Sequence, residues 1–318
     1  MNNKITPIVE GGLMAAITAI LGLASVYLPV VGLIVEFFCP IPIVILTVRQ
    51  GVKIGAAAVI ASSILLLMFM GPILAVRIAL TFSLCGLVLG ECLRRGFNAV
   101  KCLVPTLIMA FSAQILILIM LMAIMGVDLI GENMQVIRES FDQSFKIYEE
   151  MGVDPEVIAY SKNMVEPIAK LIGLLTPIIL FFVALINTIC SYFITKWIFK
   201  KLQMKFAEPL PPFAQWRFPI FFLYLAAFAA LGIYWSESWQ AGGLYFISVN
   251  ALFLAIIIDL VQGLSLLSFI ADKYNISKFV RRIIFVVVLL NFMFMQIIAF
   301  AGMFDMIFDY RKHLQKNS

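Results

Sequence analysis

Residues 52–92 read VKIGAAAVIASSILLLMFMGPILAVRIALTFSLCGLVLGEC. Between Lys53 and Glu91 the stretch holds one charge, Arg77, and its strongest turn signal is Gly71-Pro72. The two halves, 52–70 and 73–92, are each long enough as helices to cross the ~30 Å of bilayer hydrocarbon. A helix satisfies its own backbone donors and acceptors, which a chain in lipid must do. The stretch therefore predicts two membrane helices joined by a tight turn.

The rest of the chain reads the same way. Of 318 residues, 63% are hydrophobic and 13% charged, against roughly 45–50% and about 25% in soluble domains; mean hydropathy is +1.05. Twenty-three basic and 18 acidic residues are too few to cover a water-facing surface of this size. The expected fold is an all-α polytopic membrane protein. Apolar runs at 8–27, 31–48, 52–70, 73–92, 102–125, 168–199, 218–235, 244–270 and 281–304 give nine spans, or eight if a segment near one end does not cross. The opening Met-Asn-Asn-Lys lacks the charge and cleavage signals of a secretory leader, so 8–27 is read as a retained span.

Scarce residue types exclude chemistry. The single histidine, His313, lies near the C-terminus, so histidine triads, two-histidine metal sites and haem ligation are not expected. Neither nucleotide-binding glycine loops nor protease or esterase motifs occur. The cysteines Cys39, Cys85, Cys92, Cys102 and Cys190 form no CxxC pair and read as small buried hydrophobes. The chain is not expected to be an enzyme or to carry a cofactor.

Basic residues gather at alternate connections: Arg49/Lys53, Arg94/Arg95/Lys101, Lys196 to Arg217, and Lys273 to Arg282. The connections at Pro29, Gly71-Pro72 and Glu237 have no Lys or Arg. By the positive-inside rule the N-terminus is cytoplasmic in a bacterial plasma membrane. Nine spans then put Arg311, Lys312 and Lys316 outside, against that rule.

Three parts are expected: a six-span unit over 1–200, a Lys/Pro-rich cytoplasmic linker over 201–217, and a three-span unit over 218–318. Within the first, residues 127–167 form an outer polar insert with nine acids and three bases, a net of −6. The whole chain is +5, so everything outside the insert carries +11. That excess suits anionic membrane lipid and does not argue for nucleic acid. Ile130, Met134, Ile137, Phe141, Phe145 and Tyr148 mark one helical face of the insert. Gly152 ends that helix, and Asp154-Pro155-Glu156 opens another. The pair reads as a lid over an outward cavity, or as an amphipathic hairpin resting on bilayer or bundle.

The opening Glu10-Gly-Gly-Leu-Met-Ala-Ala-Ile-Thr-Ala19 is followed by Pro40-Ile-Pro-Ile43, Arg49-Gln-Gly51, the Gly71-Pro72 turn, and Gly86-Leu-Val-Leu-Gly-Glu91. This order resembles the YybS-like family of uncharacterised bacterial membrane proteins. The first six spans are in turn similar to the S-components of energy-coupling factor (ECF) transporters, which capture vitamins or metal ions from outside; the rod-shape protein MreD is a more distant likeness. The S-component resemblance implies a small-molecule ligand and a membrane coupling or ATPase subunit as partner. In that family an AxxxA face docks on the coupling subunit, and Ala15 and Ala19 match it. The MreD likeness implies the alternative, a non-transport scaffold recruiting proteins through basic loops. The three added C-terminal spans depart from the S-component plan.

Candidate site residues follow from charge at membrane depth. Glu36 precedes the helix break at Pro40 and Pro42, and Arg77 lies in the fourth span. Both sit roughly 6–8 Å below the outer boundary at ~1.5 Å per residue. They are expected to pair, or to hold the two charges of a zwitterionic substrate. Asp259, with Gln262 and Gly263 on its face, is a deep acid that Asn291 of the last span could hydrogen-bond; it reads as a proton or cation site, or as neutral interhelical glue. Asn187, Asn250 and Gln296 are intramembrane polar residues without a constellation.

Overall fold

The computed structural model describes residues 5–125 and 129–316. Asp128 of the insert lies outside them, as do the side chains of Ile130, Glu132, Met134, Ile137 and Glu237. Among the described residues every long element is helical, and the chain divides into two compact units: residues 1–169 with 179–210, and residues 170–178 with 211–318.

The first unit begins with α1 (Ile5–Tyr27), α2 (Val31–Glu36), α3 (Ile41–Gln50) and α4 (Val52–Ile78). A π-helical turn (Ala79–Ser83), α5 (Leu84–Arg94) and α6 (Ala99–Met125) follow. From Val52 to Arg94 the helix is nearly continuous, but Gly71 takes φ 78° and ψ 172°, a conformation closed to residues with a Cβ. A straight helix would hold Leu66 and Ile78 roughly 18 Å apart. Both instead face Gly22 of α1, within 2.9 and 3.4 Å of where its Cβ would stand. The chain therefore doubles back at Gly71-Pro72, as the sequence predicts.

Two glycines set how closely α5 lies on α3. A Cβ at Gly86 would stand 2.6 Å from the Pro40 carbonyl oxygen, and one at Gly90 would stand 3.0 Å from that of Val44. This is a GxxxG contact, in which missing side chains let backbones approach where lipid offers no hydrophobic drive for association. At the Gln50 end of α3, Glu10 of α1 forms an ion pair with Arg49 at 2.7 Å and accepts a hydrogen bond from Gln50.

The insert forms α7 (Leu129–Glu150) and α8 (Pro155–Leu174), separated by Gly152 at φ 75° and the Asp154 Oδ1 cap on the Glu156 amide. Phe145 packs against Ile158 and Val165, with Phe141 beside them. Phe141 and Phe145 of α7 thus pack on α8 while Tyr148 stays exposed, and Arg138–Glu166 (2.8 Å) and Lys162–Glu149 (3.0 Å) tie the hairpin at its rims. After a break at Leu175 the chain continues as α9 (Thr176–Lys201).

The expected linker is not a free tether. Met204, Phe206, Ala207 and Leu210 pack on the first unit's cluster of Val44, Leu89, Cys92, Tyr192 and Phe199. Residues 211–217 belong to the second unit, where Phe213–Gln215 form a 3₁₀ turn.

The second unit holds α10 (Phe221–Ser238), α11 (Gly242–Lys273), α12 (Lys278–Leu290), α13 (Phe292–Phe308) and α14 (Tyr310–Lys316). Its last predicted span, 281–304, is not one straight helix. The chain bends by 107° between α12 and α13, at Asn291. Near its start, Arg281 of α12 donates to Ser268 (3.2 Å) and Asp272 (2.6 Å) of α11. Beyond its end, Arg311 of α14 donates to Ser265 and lies 5.8 Å from the Phe269 ring centroid. The bent pair therefore leaves and rejoins α11 within two turns. Its apex residues Leu290 and Phe292 are 82% and 74% exposed, as suits contact with acyl chains. Arg217 and Lys312 share the Asp309 carboxylate, so the C-terminal basic residues gather at one end of this unit with Arg217.

Among the described residues six helical stretches are long and apolar enough to cross a membrane, one of them the doubled-back Val52–Arg94, and Phe221–Ser236 is a shorter apolar helix.

Candidate functional site

Glu36 is the last residue of α2, and Arg77 lies in the last turn of α4. An Arg77 guanidinium nitrogen donates to Glu36 Oε1, closing the ion pair that their depth predicts. Both partners stand where helical geometry fails. After Glu36 the chain runs through short turns, Phe38 N to Val35 O at 2.9 Å and Ile41 N to Phe38 O at 3.0 Å, before Pro40 and Pro42 start α3. One residue separates Arg77 from the π-helical turn Ala79–Ser83, a form frequent at functional sites. The side chains remain 21% and 43% exposed. Reversing either charge alone is expected to destabilise the protein in detergent, and reversing both to restore it, with a coupling of roughly 0.5–3 kcal/mol in the double-mutant cycle. No recovery in the double reversal would mean the pair is incidental.

Ala15 and Ala19 are 1% and 4% exposed. Ala15 packs with Ile43, Leu46 and Ala58, and Ala19 with Cys39, Leu66 and Ala75. The face expected to receive a partner helix is occupied by the chain's own helices, because α3 and the doubled-back α4 both close on α1.

Asn291 does not approach Asp259 as expected. The bend places it as the N-cap of α13, where Oδ1 accepts from the Met293 and Phe294 amides at 3.0 and 3.3 Å, and its residue is exposed. Asp259 is buried on α11, and its Oδ1 has no donor.

A family model described as "Predicted membrane protein (DUF2232)" matches residues 16–306. The chain belongs to this family. It is 26% identical to YybS of Bacillus subtilis (strain 168), itself described as uncharacterized, over 315 residues that cover 97% of this chain and 98% of that protein. No solved structure matches it. The DUF2232 match takes in Glu36, Arg77, Asp259 and Asp305, and stops short of Arg311.

Two polar constellations of this DUF2232 protein are not read from its sequence. The first surrounds Arg311, which is 1% exposed and donates to Asp305 Oδ2 (3.1 Å), the Ala214 carbonyl (2.7 Å) and Ser265 Oγ (3.1 Å). Gln262 donates to the same Asp305 oxygen at 2.6 Å and accepts from the Phe218 amide at 3.0 Å. Next to it on the exposed side, Lys312 and then Arg217 hold the Asp309 carboxyl below the usual carboxylate range. That small stabilisation is present above the ordinary carboxylate pKa and is lost as pH falls through the depressed one.

The second constellation is Asn250. In a continuous helix the Ile178 amide would bond to the Leu174 carbonyl. Here the Asn250 carboxamide is inserted between them: Nδ2 donates to Leu174 O at 2.8 Å, and Oδ1 accepts from Ile178 N at 3.3 Å. The break at Leu175 ahead of Pro177 is thus completed by a side chain from α11. Asn250→Leu leaves both backbone groups unsatisfied and is expected to destabilise the second unit by about 1–3 kcal/mol. Loss of protection of the Ile178 amide in hydrogen exchange would report it directly.

Proposed function

We propose that this membrane protein is a substrate-binding subunit or carrier for a small molecule, resembling ECF S-components, with its site at Glu36 and Arg77. The observation that supports the reading is the pair itself. Two opposite charges, far apart in sequence, meet at the ends of two helices that are both interrupted there, and both stay accessible. Irregular backbone at membrane depth is tolerated where it is buried in protein or lines a wet cavity. A zwitterionic ligand replaces the internal pair with its own, its ammonium on Glu36 and its carboxylate on Arg77, so neither charge is left unpaired in either state. With no nucleotide-binding motif in the chain, an ATPase partner or an ion gradient supplies the energy. Because Ala15 and Ala19 face inward, a coupling subunit docks elsewhere than on that face.

Native mass spectrometry of protein released from its own membranes tests this. The expected result is a small-molecule adduct on the wild-type protein that disappears from the folded Glu36→Gln/Arg77→Gln variant. Wild-type protein that carries no small molecule, and instead a protein partner retained through its basic loops, would replace the carrier with a scaffold.

A further inference from the structure

We propose that Asp259 is a proton-binding site, a neutral carboxyl held at the crossing of α11 and α13, and that losing its proton forces α13 off α11. The inference stands apart from the Glu36–Arg77 reading, and neither depends on the other.

Asp259 lies in mid-helix, roughly 25 Å from the start of α11 and 21 Å from its end at ~1.5 Å per residue. It is 6% exposed, and its Oδ1 is sealed without a donor. The charged groups on the surrounding elements are committed elsewhere. On α13, Asp305 is held by Arg311 of α14 and by Gln262. On α12, Arg281 is held by Asp272 and Ser268, while Arg282 is exposed. Arg217, beyond the 3₁₀ turn, pairs with Asp309. Among its described side chains α10 offers as titratable groups only Tyr224 and Tyr234, which are 55% and 69% exposed. Lys170 also has an interaction of its own.

The crossing beside Asp259 is the closest kind of helix contact. A Cβ on Gly302 would stand 1.9 Å from the Asp259 carbonyl oxygen, and one on Gly263 would stand 1.9 Å from that of Ile298. An ionised carboxylate here would have no counter-charge among the described residues and one oxygen shut off from both donor and solvent, a costly state for a side chain in a membrane protein. Among the described residues no three Asp, Glu, His or Cys side chains gather around one point as a ligand set for a multivalent metal ion. A single proton relieves the charge. Without that proton, the charge is relieved by parting the two helices and letting water in, and the bent pair, anchored to α11 at both ends, can lift at its middle.

Two measurements on the full-length protein in detergent test the proposal. Dicyclohexylcarbodiimide modifies protonated carboxyls in apolar surroundings. Peptide mass spectrometry is expected to find it on Asp259 at neutral pH, absent from Asp259 in alkaline buffer, and absent from Asp305 at both. In reversible unfolding, the folded form then binds one proton more than the unfolded form wherever the unfolded carboxyl has ionised and the folded one has not. The folding equilibrium should fall about tenfold per pH unit over that range, and Asp259→Asn should abolish the slope. Unlabelled Asp259 at neutral pH, or a slope that survives in Asp259→Asn, overturns the proposal. Where that variant does not fold, labelling of the wild-type protein decides alone.

Discussion

Arg311→Ala is expected to destabilise the second unit by about 3–5 kcal/mol, the cost of removing one partner of a buried charge pair. The guanidinium is 1% exposed and satisfies three acceptors from three segments: Asp305 of α13, Ser265 of α11 and the Ala214 carbonyl of the 3₁₀ turn. Alanine leaves the Asp305 carboxylate 5% exposed with Gln262 as its remaining donor, since its Oδ1 already has none. It also frees α14 from the 3₁₀ turn. Replacing the whole pair, as Asp305→Leu/Arg311→Met, removes the stranded charge along with its partner and should recover most of the loss. Thermal or denaturant unfolding of the three proteins gives the comparison. A single variant no worse than the double would show that the pair is not what holds the C-terminal helix.

The contrast between Arg311 and Arg77 shows what sequence can and cannot disclose. Arg77 is the one charge between Lys53 and Glu91, so its need for a partner is visible, and Glu36 at matched depth was the available acid. Arg311 follows an apolar run at a polar end and reads as a solvated tail. Its burial depends on Ala214 and Ser265, nearly a hundred and nearly fifty positions away, and on a bend that hydropathy does not mark. The run from Phe279 to Phe308 is apolar throughout apart from its early arginines, Asn291, Gln296 and Asp305, and a lone Asn serves equally as a mid-span polar residue or as a cap.

Local signals fared better because their physics is local. Gly71-Pro72 is a turn because one residue must take positive φ and the next cannot donate. Gly152 and Asp154 end and start helices for similarly short-range reasons. Small residues were legible as a class but not in direction: the face of Ala15 and Ala19 closes on the chain's own helices, and Gly86 and Gly90, quoted only as part of a resemblance, carry the α3–α5 contact. Asn250 was visible as an intramembrane amide, but the opened Leu174–Ile178 hydrogen bond that it fills belongs to a segment more than seventy positions away.

Gly302→Ala should be nearly as damaging as Arg311→Ala, at about 3 kcal/mol. The added methyl meets the Asp259 carbonyl oxygen at 1.9 Å and the Gly263 amide nitrogen at 2.5 Å, and both are backbone atoms in the middle of a helix. No rotamer change relieves such a clash, so α13 must move bodily away from α11 and forfeit the contacts on either side. Gly263→Ala meets the Ile298 carbonyl in the same way and should behave alike. Two other glycines separate this from a general intolerance. At Gly232 the nearest atom is the Ser248 hydroxyl at 2.2 Å, the free end of a side chain that can rotate, so Gly232→Ala should cost less, and Ser248→Ala should rescue it. At Gly12 nothing lies within 4 Å, and alanine should stabilise α1 by about 0.5–1 kcal/mol through backbone entropy alone. Unfolding of the four variants should rank them in that order. Gly302→Ala as mild as Gly232→Ala would mean that α13 does not rest on α11 at this crossing, and the close contact beside Asp259 would go with it.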